Sequence, residues 1–429
     1  MAALLLAIAL CISASLSPCA LAAAANGGKP LVTAVTKDPA TLLYTSPLKD
    51  KHPLVLDLAG PLIWTTTCDA SHPTFECHHH ECAHAHRYHP PSCPHSGYGK
   101  ADDEDRFRCK CTAHPHNPFS GKTETDDLTR TTLSANATDG KNPLYPVSFP
   151  AVTSCAPKSL LAKLPAGAVG VAGLANSRLS LPAQVSRTQK VPKKFLLCLP
   201  RSDFRKGDGV AIFGGGPFFT LTSVVGGESG PDLTLDLTYT NLAAKPHTPA
   251  YYLPVKAIAV GKANLPLPAD ALTSGGVAFS ARAPYTSLRH DVYRPFLNAL
   301  DAASGWKDFK VPAVAPFELC YNSSFLPNTR VGHLAPDIDF VLPDGKNYTI
   351  GSLDSMIDLD DFRVACFAFV EMKAHKSGAV PAVEIGGFQM ENNVLQFDLD
   401  KMQLGFARVP IFMACSNFNF TLAGHSGHY

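Results

Sequence analysis

The chain has 429 residues, 45% of them apolar, enough to fill a substantial core and to build two lobes rather than one small domain. Its 37 basic and 36 acidic residues leave a net charge of +1, so composition gives no sign of a nucleic-acid partner or of attraction to an anionic membrane surface. Beyond the first stretch of residues no apolar run approaches the length of a membrane span.

Taken in chain order, residues 1–25 read as a secretory leader: the apolar run from Ala2 to Leu10 passes into small residues, with Ala20-Leu21-Ala22 as the cleavage site, although no Lys or Arg precedes the run. Short segments at 55–58, 169–174, 195–199, 210–213, 257–260 and 364–370 are rich in β-branched or aromatic residues and bounded by Gly, Pro, Asn or Asp, the signature of strands. Helical periodicity is confined to short pieces at 156–164 and 291–303, the second with Val292, Phe296, Leu297 and Leu300 on one face. The expectation is an all-β chain whose few short helices are peripheral. A Gly-, Pro- and Thr-rich stretch at 226–249 places a boundary near 235, giving an N-terminal lobe of 26–235 and a C-terminal lobe of 236–429. Each half carries an apolar-glycine element, Val169-Gly170-Val171-Ala172-Gly173-Leu174 and Val383-Glu384-Ile385-Gly386-Gly387-Phe388, which points to internal duplication.

Of thirteen cysteines, Cys11 and Cys19 fall in the leader. The rest, Cys68, Cys77, Cys82, Cys93, Cys109, Cys111, Cys155, Cys198, Cys320, Cys366 and Cys415, are disulfide candidates in an oxidising compartment, with one left over because their number is odd. Sequons at Asn136, Asn322, Asn347 and Asn419 fit the same secreted, extracellular route and mark glycosylation on surface loops. Between Cys77 and His86 lie His78, His79, His80, His84 and a second cysteine, Cys82. Such a cluster suits exposed histidines beside structural disulfides; metal binding through His78, His80, His84 and His86 is the weaker alternative, and no cofactor is expected.

Two distant segments carry the most informative chemistry. Leu56-Asp57-Leu58-Ala59-Gly60-Pro61-Leu62-Ile63-Trp64 is an apolar strand entering an acidic turn, and Gly275-Gly276-Val277-Ala278-Phe279-Ser280-Ala281-Arg282-Ala283-Pro284 has the same outline with Ser280 at the place of Asp57. They resemble the paired catalytic loops of a pepsin-like aspartic peptidase, where two carboxylates share one proton, one activating water while the other donates to the substrate carbonyl. Leu58 and Ala59 replace the Thr and Gly of the first loop, Ser280, Ala281 and Arg282 replace the second loop's triplet, and His116-Asn117 stands where the flap's Tyr-Gly is expected. With only Asp57 and Ser280 as remnants of the dyad, no catalytic residue is expected. Asp57 is then either satisfied by loop amides or paired with Arg282, whose guanidinium would occupy the former cleft.

The resemblance extends through Gly170 to Gln184, Phe195 to Leu199, Ala211 to Gly216 and Gly386 to Phe406, and narrows to the TAXI-type cereal xylanase inhibitors and the related basic seed globulins. It implies a bilobal pepsin-like fold in a monomer that blocks the cleft of a microbial xylanase or other glycoside hydrolase. It also implies a histidine reaching between the enzyme's two carboxylates, which a retaining enzyme holds about 5–5.5 Å apart, and a leucine in a sugar subsite. The matching positions here are Ile411, followed by Phe412, and Arg330, so both contacts are altered and the target has shifted or been lost. An active aspartic endopeptidase and a storage or binding glycoprotein are the competing classes. A Ser-His-Asp hydrolase is excluded by the absence of a Gly-x-Ser-x-Gly elbow, and Gly214-Gly215-Gly216 is no phosphate loop because no Lys-Ser/Thr follows.

Overall fold

A computed structural model of the chain describes residues 28–421 except 70, 89–97, 103–104, 141–142, 202–206, 222–229, 331, 374–379 and 412. Strands dominate, and no helix among the described residues is long and apolar enough to cross a membrane.

Within a 14-stranded sheet, His52–Asp57 lies parallel to Gly170–Gly173, which pairs antiparallel with Ile63–Thr65, which in turn lies parallel to Tyr145–Cys155. The second half repeats this order. Val277–Phe279 lies parallel to Val383–Ile385, which pairs antiparallel with Thr286–Leu288, itself parallel to Phe369–Glu371. In each motif the strand that comes last in the chain is inserted between the first two, and the loop connecting those two ends up against its end. Glycine is required where that insertion brings backbones together: a Cβ on Gly173 would stand 2.3 Å from the Gly60 carbonyl oxygen, and one on Gly386 2.3 Å from the Tyr285 carbonyl carbon. The two apolar-glycine elements noticed in the sequence are these inserted strands.

The halves share a sheet. The hairpin Asn393–Asp398 and Gln403–Arg408 continues the first-half sheet through pairing of Asn393–Asp398 with Lys194–Cys198. Phe397 stacks on Phe195 with ring centroids 4.8 Å apart, and Phe195 stacks on Phe213 at 6.2 Å, so the seam is apolar. Beside it Glu391 accepts from the Tyr44 hydroxyl at 2.7 Å and lies 2.6 Å from the Lys37 ammonium, while Asp354 takes Arg201 at 2.9 Å and Arg408 at 2.7 Å. These buried charges are tolerated because each is paired.

Several sequence expectations change. The helix at 156–164 is a single 3₁₀ turn, Lys158–Leu161, because Lys163 takes the left-handed conformation (φ 67°) and Pro165 follows. The helix at 291–303 forms as His290–Ser304 but is not peripheral: Val292, Tyr293, Phe296 and Leu300 are fully buried against the second-half core. The strand at 364–370 divides at Ala368 into Val364–Phe367, paired with Cys320–Asn322, and Phe369–Glu371, paired with Thr286–Leu288.

Five disulfides join Cys68 to Cys155, Cys77 to Cys109, Cys82 to Cys111, Cys198 to Cys415 and Cys320 to Cys366. The remaining disulfide candidate, Cys93, lies outside the described residues.

Candidate functional site

The two equivalent loops face one another. Asp57 ends its strand almost fully buried, and its carboxylate accepts from the Ala59 backbone N–H at 3.0 Å. Across from it the Arg282 Nε lies 3.4 Å from the same oxygen, Asp57 Oδ1. Both readings of Asp57 therefore hold together: a loop amide and a guanidinium satisfy one carboxylate. Gly60 is needed here as well, since a Cβ would meet Asp57 Oδ2 at 3.0 Å and the Gly173 Cα at 2.9 Å.

Ser280 is 2% exposed, and its hydroxyl has no hydrogen-bond partner among the described residues. A hydroxyl of ordinary acidity cannot share a proton with Asp57 as a second carboxylate would, and Asp57 is already occupied by a permanent cation. The second carboxylate of a proton-sharing dyad is absent from this position.

The cleft over this pair holds about 250 Å³ and is bounded by Asp57, Trp64, Tyr88, His116, His247 and Arg282. His116 comes from the small hairpin of His116–Asn117 and Lys122–Thr123, where a flap was expected. The Trp64 indole donates to the His116 carbonyl at 3.0 Å, and the His116 ring contacts Thr123 Oγ1 at 2.8 Å. Burial, and then the nearby Arg282 cation, push the His116 pKa below its ordinary value, while Asp57 opposes them. Asn117 anchors the hairpin: fully buried, it donates to the Leu160 and Ala162 carbonyls at 2.6 and 2.9 Å and accepts from the Phe119 and Ser120 amides.

Tyr88 and His247 were not singled out from the sequence. They reach the cleft from distant segments with no local pattern, so nothing short of the tertiary fold brings them in. The role of Asn117 had a signal, the Asn-Pro step at 117–118 that favours a turn.

The positions matched to inhibitor contacts lie elsewhere. Arg330 is exposed at the tip of the hairpin formed by Asn328–Thr329 and Gly332–His333. Ile411 is 63% exposed, a large apolar side chain offered to solvent; Phe412 lies outside the described residues.

In the Cys/His segment, His80–Ala85 forms a short helix capped by His79, whose Nδ1 accepts from the Glu81 amide. The sites where ligand atoms converge combine His78 with Cys77 and Cys109, and His86 with Cys82 and Cys111. Those sulfurs are the two disulfides, and an oxidised sulfur is not a thiolate ligand. His80 and His84 stand apart from both groups, with ring centroids 6.4 Å from each other. Of the sequons, Asn347 is exposed, while Asn136, Asn322 and Asn419 are half-buried; the Asn322 and Asn419 side chains accept from the amides of Ser324 and Thr421.

Residues 42–215 match the family model described as the xylanase inhibitor N-terminal domain, and residues 250–408 match the corresponding C-terminal domain. A protein of Oryza sativa subsp. japonica named Chitinase CLP is 56% identical over 430 residues, covering 98% of this chain and 99% of its own. Gamma conglutin 1 of Prunus dulcis is 32% identical over 416 residues, covering 91% of this chain and 89% of its own. Among solved structures, edgp superposes with a TM-score of 0.77 at 28% identity over 91% of this chain and 98% of its own. Basic 7S globulin from soybean superposes with a TM-score of 0.72 at 26% identity over 92% of this chain and 99% of its own.

Proposed function

The chain belongs to the xylanase-inhibitor family of pepsin-like proteins, and from that premise we propose that it is a secreted binding protein without proteolytic activity, directed at a microbial glycoside hydrolase. The observation that carries the first part is the contact of Arg282 Nε with Asp57 Oδ1 at 3.4 Å, with Ser280 at the second dyad position. Peptide hydrolysis on this scaffold needs a base and an acid at one water, and the cleft supplies a single carboxylate already held by a cation.

On this reading two lobes, divided near residue 235, present loops to the enzyme from the second half. Arg330 offers a planar cation that can engage a carboxylate pair with two parallel bonds, and Ile411 offers apolar area in place of a hydrogen-bonding side chain. The test is inhibition of a panel of small bacterial and fungal xylanases, with Arg330→Ala and Ile411→His beside the native protein. Inhibition lost in Arg330→Ala supports this loop as the blocking element. Absence of inhibition by the native protein and by both variants would overturn the reading.

The rice relative's name favours a second reading, chitin hydrolysis. Glycoside hydrolysis by two carboxylates needs a second acid beside the first, and among the described residues Asp57 is the lone carboxylate lining this cleft. Release of soluble sugar from colloidal chitin by the native protein, abolished in Asp57→Asn, would put this reading first.

A further inference from the structure

A second concavity of about 450 Å³ lies beside the cleft, within the size range of small-ligand sites, and Tyr88 is a wall of both. Arg87, Arg178, Arg187 and Lys193 line it, and no described acidic residue does. In a chain whose charges nearly balance overall, this is a local concentration of one sign, drawn together from three separate segments. Among the described residues Arg187 alone of the four has an ion-pair partner, Glu81 at 3.8 Å, and Arg87 and Arg178 project exposed guanidinium groups. Lys193 leans on the Asn176 side-chain oxygen at 3.4 Å. Burial is the main cause that weakens proton binding at Lys193 and Arg187; Asp400 and Glu81 oppose it, and the neighbouring guanidinium groups add smaller repulsions.

We propose that this cavity binds a carboxylate-bearing oligosaccharide, its acid groups on the arginine forks and its ring on Tyr88. Arginine presents donors in the flat fork that fits a carboxylate, and several forks in one cavity suit a ligand that repeats the acid group. The remaining lining is polar and aromatic: the Asn176 side chain, which bridges Lys193 and the Met402 sulfur, and Tyr88, one face of which carries the Arg87 guanidinium 5.5 Å from the ring centroid and leaves the other for a sugar's apolar edge. Tyr88 also lines the cleft that holds Trp64, so a longer chain would meet a second aromatic surface beside the first.

Calorimetric titration with trigalacturonate tests it, alongside the methyl-esterified trimer, neutral xylotriose, triglutamate and inorganic phosphate. The expected result is binding of trigalacturonate that weakens with added salt and is lost on esterification. Arg178→Ala and Arg87→Ala, each on an exposed side chain, are expected to raise the dissociation constant about tenfold or more, with part of the affinity kept in Arg178→Lys. No binding by the native protein, or binding unchanged in both alanine variants, would overturn the proposal. Equal or tighter binding of triglutamate or phosphate would overturn the assignment to a sugar acid.

Discussion

Gln184 and Gln389 do the same work in the two halves of the chain. Each sits buried in the helix that follows the inserted strand, and each bridges to the neighbouring parallel strand region. Gln184 accepts from the Val152 amide and donates to the Val152 and Leu179 carbonyls; Gln389 accepts from the Thr286 amide and hydroxyl and donates to the Asp354 and Ala368 carbonyls. Replacing either by Ala leaves several buried backbone groups without partners. A loss of about 2–4 kcal/mol is expected for each, read from the denaturant midpoint with an unchanged slope.

Arg282→Ala removes the cation beside a carboxylate that is 6% exposed. Because Arg282 is one-third exposed and Ala59 still donates to Asp57, the expected cost is modest, about 1–2 kcal/mol. Ser280→Asp alone is expected to leave the protein without pepstatin-sensitive cleavage of denatured substrate, since Arg282 still holds Asp57. Cleavage by that single variant would show that the ion pair does not block the site.

His116 reports on the cleft. Its folded pKa lies below the ordinary value of about 6.5, through burial first and Arg282 second. The unfolded chain therefore binds this proton more readily than the folded one. The stability linked to this group is present above about 6.5 and falls as pH drops toward and through the depressed pKa. An NMR titration of the imidazole should show its pKa rising in Arg282→Ala and falling further in Asp57→Asn.

The bridge between Cys198 and Cys415 closes a loop with a sequence separation of 217 and fastens the C-terminal segment to the strand Lys194–Cys198. Changing both to Ala is expected to cost about 3–5 kcal/mol, measured as a lowered unfolding midpoint. Peptide mapping without reduction should recover Cys77 linked to Cys109 and Cys82 to Cys111.

What could be read in the sequence was local. The two dyad loops carry their identity in consecutive residues, and the strand Ala257–Val260 is an unbroken β-prone run, so both were legible. The hairpin of Asp126–Ala137 and Tyr145–Cys155 was not, because Pro146 and Pro150 argue against a strand that tertiary pairing nonetheless maintains. Leu181–Gln189 escaped as a helix because it is short and about half of its residues are polar, although Pro182 in its first turn is itself a helix-start signal. The basic concavity was invisible because its arginines are spread along the chain and meet only after folding.

The shared sheet has a consequence for biosynthesis. Strand Lys194–Cys198 leaves the ribosome nearly two hundred residues before its partner Asn393–Asp398, an interval of roughly ten seconds or more at ordinary elongation rates. Throughout that wait one face of the nascent sheet ends in an open edge, and the Cys198 thiol precedes Cys415 by still longer. Folding of the first half is thus completed by the last tenth of the chain, which makes C-terminal truncation a fault of the whole molecule rather than of its tail.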